Sequence, residues 1–327
     1  MNIKFIAKVN GYLCHIGEEN LYPFSFDNLK LSNDTAILKT YFPEQFNLFY
    51  IGLMSGGVYR NDYFIYFIGE SSTIPQLNNV VNIDQIGEII NSHLQTYLIS
   101  LWFVKNCSTN INKCIVTNVD TGEASINAKA FLYTDSKGLY PSAIFKISEL
   151  KNAFARLGKI WEFFLKGNPD IIPESTYEGL KANKFTSLPY KNLPRIGRSL
   201  MFLDLARSQP LLPLKISFYI VLLESLFTST TSEVTHQVSE RTALFVGTNK
   251  TEKKEIFNVI KKAYNYRSTY MHGQLIKNPI EELQVTAFQI DNVIRKLYIK
   301  ILDGASEIFQ EADNEKYNDY FRDLIFQ

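Results

Sequence analysis

The sequence predicts an α+β protein, with a mixed N-terminal domain over residues 1–190 and an all-α helical bundle over residues 191–327. Three observations carry this. Stretches rich in β-branched and aromatic residues lie upstream of Asp135, as strands require. From Ile147 onward the apolar residues recur at helical spacing. Between the two regions, Asn168 to Pro194 carries Pro169, Pro173, Pro189 and Pro194, the composition of an extended connector and a domain boundary.

Taken in order, Ile3-Lys4-Phe5-Ile6-Ala7-Lys8-Val9 alternates and predicts a strand. The turn cluster Ser55-Gly56-Gly57 is glycine-rich, but Val58-Tyr59-Arg60 lacks the lysine and hydroxyl that a phosphate-cradling loop needs, so it reads as a hairpin or loop. Tyr63 to Ile68 then reads as a buried strand. From Asp84 to Lys105 the period becomes helical, with Ile86, Ile90, Leu94, Leu98 and Leu101 on one face and His93 packed among them. Lys113 to Asn118 and Ala128 to Thr134 predict two strands around the turn Asp120-Thr121-Gly122. Ile147 to Phe164 is an amphipathic helix that stops near Gly167-Asn168-Pro169.

The bundle opens with a helix over Arg195 to Ala206, then a strongly apolar one over Pro213 to Phe227. Thr231 or Ser232 is a suitable N-cap for a third helix that runs to Val246 and closes at Gly247. Thr251 is placed to cap a fourth, which runs to His272 and stops at Gly273. Pro279 suits the first turn of a fifth, ending near Leu302. Tyr317 to Phe326 is a short apolar and aromatic tail expected to pack back onto the bundle.

Bulk properties set limits on function. The chain has 327 residues, 46% of them hydrophobic, which is a globular composition long enough for two domains. A net charge of +1 means no global field advertises nucleic acid, although a local patch still can. Lys181, Lys184, Lys191, Arg195 and Arg198 occur with no acid among them, which fits either an RNA-backbone patch or a solvated surface segment. Cys14, Cys107 and Cys114 match no disulfide framework and no zinc spacing, so a reducing, cytoplasmic setting without a metal is expected. Lys4, Lys8 and Asn10 interrupt the first apolar run, unlike a signal peptide. The longest apolar run, Ile216 to Leu223, is flanked by Lys215 and Glu224 and is too short to span a membrane.

Tyr266-Arg267-Ser268-Thr269-Tyr270-Met271-His272-Gly273 is the segment with most chemistry in it. A guanidinium holds phosphate in a bidentate fork, and an imidazole moves protons near neutral pH. Five positions turn a helix by about 140°, so Arg267 and His272 converge only if His272 lies in the last turn, where the chain leaves the helix. Taken alone, this spacing also describes an arginine in a surface ion pair and a helix-end histidine. Glu224 and Arg241 stand on apolar helices, where an isolated charge is costly. A mutual ion pair, or one of them orienting Arg267 or His272, relieves that cost.

The order of these features, an apolar helix with Leu223-Glu224-Ser225-Leu226-Phe227, a helix with Val238-Ser239-Glu240-Arg241-Thr242-Ala243, and a further helix ending in Arg267-Ser268 and His272-Gly273, resembles the C-terminal part of the HEPN superfamily, its Apea-like branch in particular. The resemblance runs over Phe218 to Gly273 and the long helix after Pro279. It implies a helical bundle that forms a homodimer and, in active members, a metal-independent ribonuclease with no cofactor. Arg267 would then bind the scissile phosphate and His272 would handle protons at the ribose 2′-hydroxyl, confining cleavage to RNA. Ser268, Glu224, Arg241 and Tyr266 would support them. Ser268 stands where many active members carry Asn, Asp or His, and a serine donates to phosphate but is a poor acid or base. The resemblance extends to defence and toxin-like effectors; it does not cover residues 1–190, for which a sensor of a protein or ligand trigger is a third reading. The competing class is a non-catalytic HEPN dimerisation module that binds RNA or a nucleotide.

Overall fold

The structure is a computed structural model that describes residues 1–14, 24–26, 29–42, 63–74, 77, 80–128, 132–165, 194–230, 232–311 and 313–326. It is an α+β fold with a helical C-terminal region. Two compact units divide it. Among the described residues, the first holds Met1–Leu132 and Tyr140–Ala155, and the second holds Tyr133–Leu139 and everything from Arg156 onward. The expected division at residue 190 falls outside the described residues.

The first unit is built on an antiparallel sheet. Strand β1 (Asn2–Asn10) lies at its centre, because its apolar residues are buried on both faces. The other strands are β3 (Phe24–Phe26), β4 (Leu29–Ser32), β5 (Tyr63–Glu70), β6 (Asn110–Asn118) and β7 (Ala124–Ala128), and the order is β3-β4-β5-β1-β6-β7. Register pairs Ile6 with Tyr66 and Ile115, and these join Phe64, Leu38 and Phe42 under helix α1 (Thr35–Tyr41). Phe5 pairs with Phe67 and Val116 on the opposite face. Helix α2 (Ile83–Val104) packs on β6 and β7. It comes so close that a Cβ at Gly87 would collide with the Asn127 amide. A sheet covered on both faces reads as near-continuous apolar strands, as β5 does.

The strand expected over Ala128 to Thr134 begins four residues earlier, at Ala124, and ends at Ala128. The tight turn causes the shift: the Asn118 side chain accepts from the backbone N–H groups of Asp120 and Thr121, and Gly122 takes φ +75° and donates to the Asn118 carbonyl, so the chain re-enters the sheet at once. A short parallel pair, β2 (Tyr12–Cys14) with β8 (Ala143–Phe145), has no counterpart in the sequence reading. The Ser55-Gly56-Gly57 cluster and the proline-rich connector lie outside the described residues. Helix α3 (Ile147–Leu165) matches its predicted span.

The second unit is a helical array: α4 (Arg195–Arg207), α5 (Leu212–Phe227), α6 (Val234–Val246), α7 (Lys250–Met271), α8 (Ile280–Leu302) and α9 (Asn314–Ile325). Apolar α5 packs against α4, α6, α7 and α8, which explains why it is hydrophobic nearly all round. Phe227 at its end meets Phe245, Phe309 and Phe321 edge-on, so the aromatic tail does return to the bundle. Two caps differ from expectation. Asn249, not Thr251, caps α7, since its side chain accepts from the Glu252 N–H and the helix has already begun at Lys250. Glu233 stands at the α6 cap position with φ +51°, displacing Ser232, while Gln237 reaches back to accept from the Ser229 N–H. Thr231 lies outside the described residues. Among the described residues no helix is long and apolar enough to cross a membrane.

Candidate functional site

The end of α7 is built as its sequence requires. Gly273 takes φ +71°, donates to the Tyr270 carbonyl at 3.0 Å, and Gln274 donates to the Thr269 carbonyl at 3.0 Å. This is the paired closure of a helix by a left-handed glycine. His272 is the C-cap and its side chain is exposed. It lies beside the last carbonyls of α7.

Arg267 lies one and a half turns earlier and faces α5. Its Nη2 is 3.4 Å from Oε2 of Glu224, and the Tyr264 hydroxyl donates to Oε1 of the same carboxylate at 3.0 Å. Burial, then the Glu224 charge, raises the Tyr264 phenol well above its usual range, so it stays a donor. The pair is neither buried nor free: the side chains of Arg267 and Glu224 are 31% and 21% exposed. Arg267 Nε makes no hydrogen bond. The guanidinium is therefore held loosely at one corner, with donors left over. Arg267 turns to α5 and His272 to solvent, and no hydrogen bond or ion pair joins the two. Ser268 is exposed beside them. Tyr266 is buried on another side of α7, against Lys262 and Glu282, and burial followed by Glu282 pushes its phenol up.

Arg241 does not pair with Glu224. Its Nη1 donates to the Phe227 carbonyl at 3.0 Å and the Ser229 hydroxyl at 3.1 Å, and its Nη2 donates to Asn318 at 2.7 Å. Arg195 Nη1 donates to the Thr228 carbonyl at 2.6 Å, and its guanidinium lies 4.3 Å from the Tyr317 ring centre. The Tyr317 hydroxyl donates to the Leu226 carbonyl. Three consecutive carbonyls at the end of α5 are thus satisfied by two cations and a phenol, the partners a buried helix C-terminus needs. Arg241 and Arg195 are corrected to this role. Arg195 is half-buried, and its Nη2 donates to Asn314 Oδ1 at 3.2 Å. Arg198 is half-buried in α4, and Lys181, Lys184 and Lys191 lie outside the described residues.

A buried charge cluster in the second unit escaped the sequence reading. Lys215, Arg207 and Asp291 are fully buried. Lys215 Nζ donates to the Ala206 carbonyl at 2.8 Å at the end of α4. Asp291 accepts from the Tyr219 hydroxyl at 2.6 Å and pairs with Arg295. The Arg207 guanidinium lies over the Tyr133 ring at 4.4 Å, and Tyr133 donates to Asp204. Burial pulls the Lys215 amine down to about 7, opposed by the Asp291 charge and assisted by Arg207. The signal was present: Lys215 with Tyr219, and Asp291 with Arg295, are i,i+4 polar pairs on otherwise apolar helices. The cluster fastens α4 and α5 to α8, away from solvent.

Among the described residues no group of three His, Cys, Asp or Glu side chains could hold a metal. Cys107 and Cys114 are buried free thiols, and burial pushes the Cys114 thiol up to about 12. No protein-family model, no curated protein and no solved structure gives a significant match to this chain.

Proposed function

We propose that the second unit is a HEPN-type ribonuclease module, with Arg267 as phosphate ligand and His272 as the proton-transfer group. The observation that carries it is the contrast between Arg267 and the other arginines around it. Arg195 and Arg241 are committed to carbonyls at the end of α5, whereas Arg267 makes one long ion pair, with its side chain 31% exposed, on the helix that ends at exposed His272. An unspent guanidinium is the group that can accept a phosphate. Glu224 and Tyr264 position it.

In this reading His272 takes the proton of a ribose 2′-hydroxyl. That oxygen attacks the adjacent phosphorus, the P–O5′ bond breaks, the leaving 5′-oxygen takes up the proton held by the imidazolium, and a 2′,3′-cyclic phosphate remains. Arg267 stabilises the charge that develops on the phosphoryl oxygens. Because Arg267 and His272 diverge around α7, a second copy would supply the complementary member of each pair in a two-fold composite site. The setting is cytoplasmic, and residues 1–190 would carry the trigger. Ser268 favours the second reading, a HEPN dimer that retains RNA without cutting it, since the residue beside Arg267 cannot act as acid or base.

The deciding experiment incubates the purified chain with single-stranded RNA in the presence of a chelator. Cyclic-phosphate products, lost in Arg267→Ala and His272→Ala and blocked by a 2′-deoxy substitution at the cut, are expected. Cleavage undiminished in the double variant would sink the catalytic assignment, and retention without cleavage would establish the binding module.

A further inference from the structure

The exposed side of α7 carries a pattern that the Arg–His pair does not account for. Between Ile256 and Tyr270 its exposed residues are Asn258, Lys261, Asn265 and Ser268. Lys254 precedes them at the same spacing and His272 follows, both exposed. The steps are four, three, four, three and four residues, the repeat of one helical face. The six side chains therefore form a single line about 27 Å long, with one polar group every 5.4 Å or so, ending at the imidazole.

Three properties distinguish this line from an ordinary solvated face. Its six positions hold no carboxylate: Glu252 is bonded to Lys296 and Thr248, and exposed Glu255 lies off the line, about 100° around the helix from Lys254 and about 60° from Asn258. It holds no apolar side chain, unlike Met271, Leu275 and Ile280 nearby, so it lacks the buried apolar centre of a protein interface. Among the described residues none of its six side chains makes a hydrogen bond or ion pair, while four lysines elsewhere in the same unit do. Lys262 pairs with Glu282, Lys296 with Glu252, and Lys300 and Lys159 donate to carbonyls. Lysine cations, amide N–H donors and a hydroxyl donor suit a chain of phosphates, which offers acceptors at regular intervals and no donors.

We infer that the line Lys254–Asn258–Lys261–Asn265–Ser268–His272 is a track for the phosphate backbone of single-stranded RNA, leading it along α7 to His272. The inference rests on the ribonuclease reading for the use of its terminal residue, but the track itself makes no demand on catalysis.

The test measures binding apart from cutting. The full-length His272→Ala chain is titrated with a fluorescent single-stranded RNA at several salt concentrations. A Lys254→Ala/Lys261→Ala pair in that background should flatten the slope of log affinity against log salt by about 1.4, at about 0.7 per phosphate contact on a single strand. Asn258→Ala/Asn265→Ala should weaken binding with little change in slope. A control pair with the same charge loss elsewhere, Lys137→Ala/Lys316→Ala, should leave the slope unchanged. An equal slope in the track and control variants, or no RNA binding by the parent chain, overturns the track. Track-dependent binding by a chain whose wild type never cuts RNA keeps the track and removes the ribonuclease reading, so the two fail separately.

Discussion

Oε2 of Glu224 lies 3.4 Å from Nη2 of Arg267, while its other oxygen accepts the Tyr264 hydroxyl at 3.0 Å. One carboxylate thus fixes a phenol on α7 and steers a guanidinium one turn further along. A part-exposed pair of this length contributes little to stability, on the order of 0–1 kcal/mol. Glu224→Gln keeps an acceptor for Tyr264 and removes the charge that aims Arg267. On the proposed ribonuclease reading, RNA cleavage should fall at least roughly tenfold, the cost of about 1.4 kcal/mol of transition-state stabilisation, with a urea midpoint close to wild type. A destabilised variant that still cuts normally would show that the pair is structural only.

Arg241 should behave in the opposite way. Its removal leaves the buried Phe227 carbonyl without its side-chain donor and takes the charged donor from Asn318 Oδ1, which keeps the Ser229 hydroxyl, a loss of about 2–3 kcal/mol. Urea unfolding of Arg241→Ala should show that loss with an unchanged m-value, whereas Arg267→Ala should change stability by less than about 1 kcal/mol. Equal losses for the two variants would contradict the assignment of one to the fold and the other to the site.

Lys215 makes the stability of the second unit depend on pH. Its amine titrates at about 7 when folded, below the 10.5 of a free lysine. Between those values the unfolded chain holds a proton that the folded chain has released, so this group makes folding more favourable as pH rises from about 7 towards 10.5. The contribution is at most about 1.4 kcal/mol per pH unit. Lys215→Met, of similar shape but without the amine, should flatten the stability profile across that window. Parallel profiles for wild type and variant from pH 7 to 10 would refute the depressed amine.

Gly273 tests the helix terminus that places His272. At φ +71° an alanine is strained, yet a Cβ there meets nothing within 4 Å, so the cost is purely conformational, about 1 kcal/mol. Gly273→Ala should lower stability by that amount and Gly273→Asn by less, because asparagine tolerates the left-handed region. If the His272 imidazole depends on this closure, its NMR resonances should move in the alanine variant and stay in the asparagine one.

Local signals made much of this protein legible in advance. The spans of α3, α5, α7 and α8 followed from apolar period, and their ends from Gly273 and Pro279, because a helix records its buried stripe within its own residues. The caps at Asn249 and Glu233 were missed by one or two positions, since several polar residues stood near each start and only the backbone path chooses between them. The β2–β8 pair was out of reach because Tyr12 and Ala143 are brought together by everything between them. Charge on an apolar helix showed that Glu224 and Arg241 needed partners without showing which. Glu224 met Arg267, one of the alternatives left open, and Arg241 met carbonyls that carry no mark in a sequence. Lys215 was read as the edge of an apolar run, because burial of a lysine is a tertiary fact.

Residues Tyr133–Leu139 belong to the second unit, although the chain on either side of them belongs to the first. The chain therefore passes between the two units more than once. A ribosome releases Tyr133 long before Asp204 and Arg207, so its phenol and ring have nothing to dock on until α4 has been made. Cutting the gene near residue 190 would yield a helical fragment that keeps a fully buried arginine and has lost the ring that covers it. Evolution by swapping the N-terminal half for another domain meets the same obstacle, unless the incoming domain brings its own copy of that short loop.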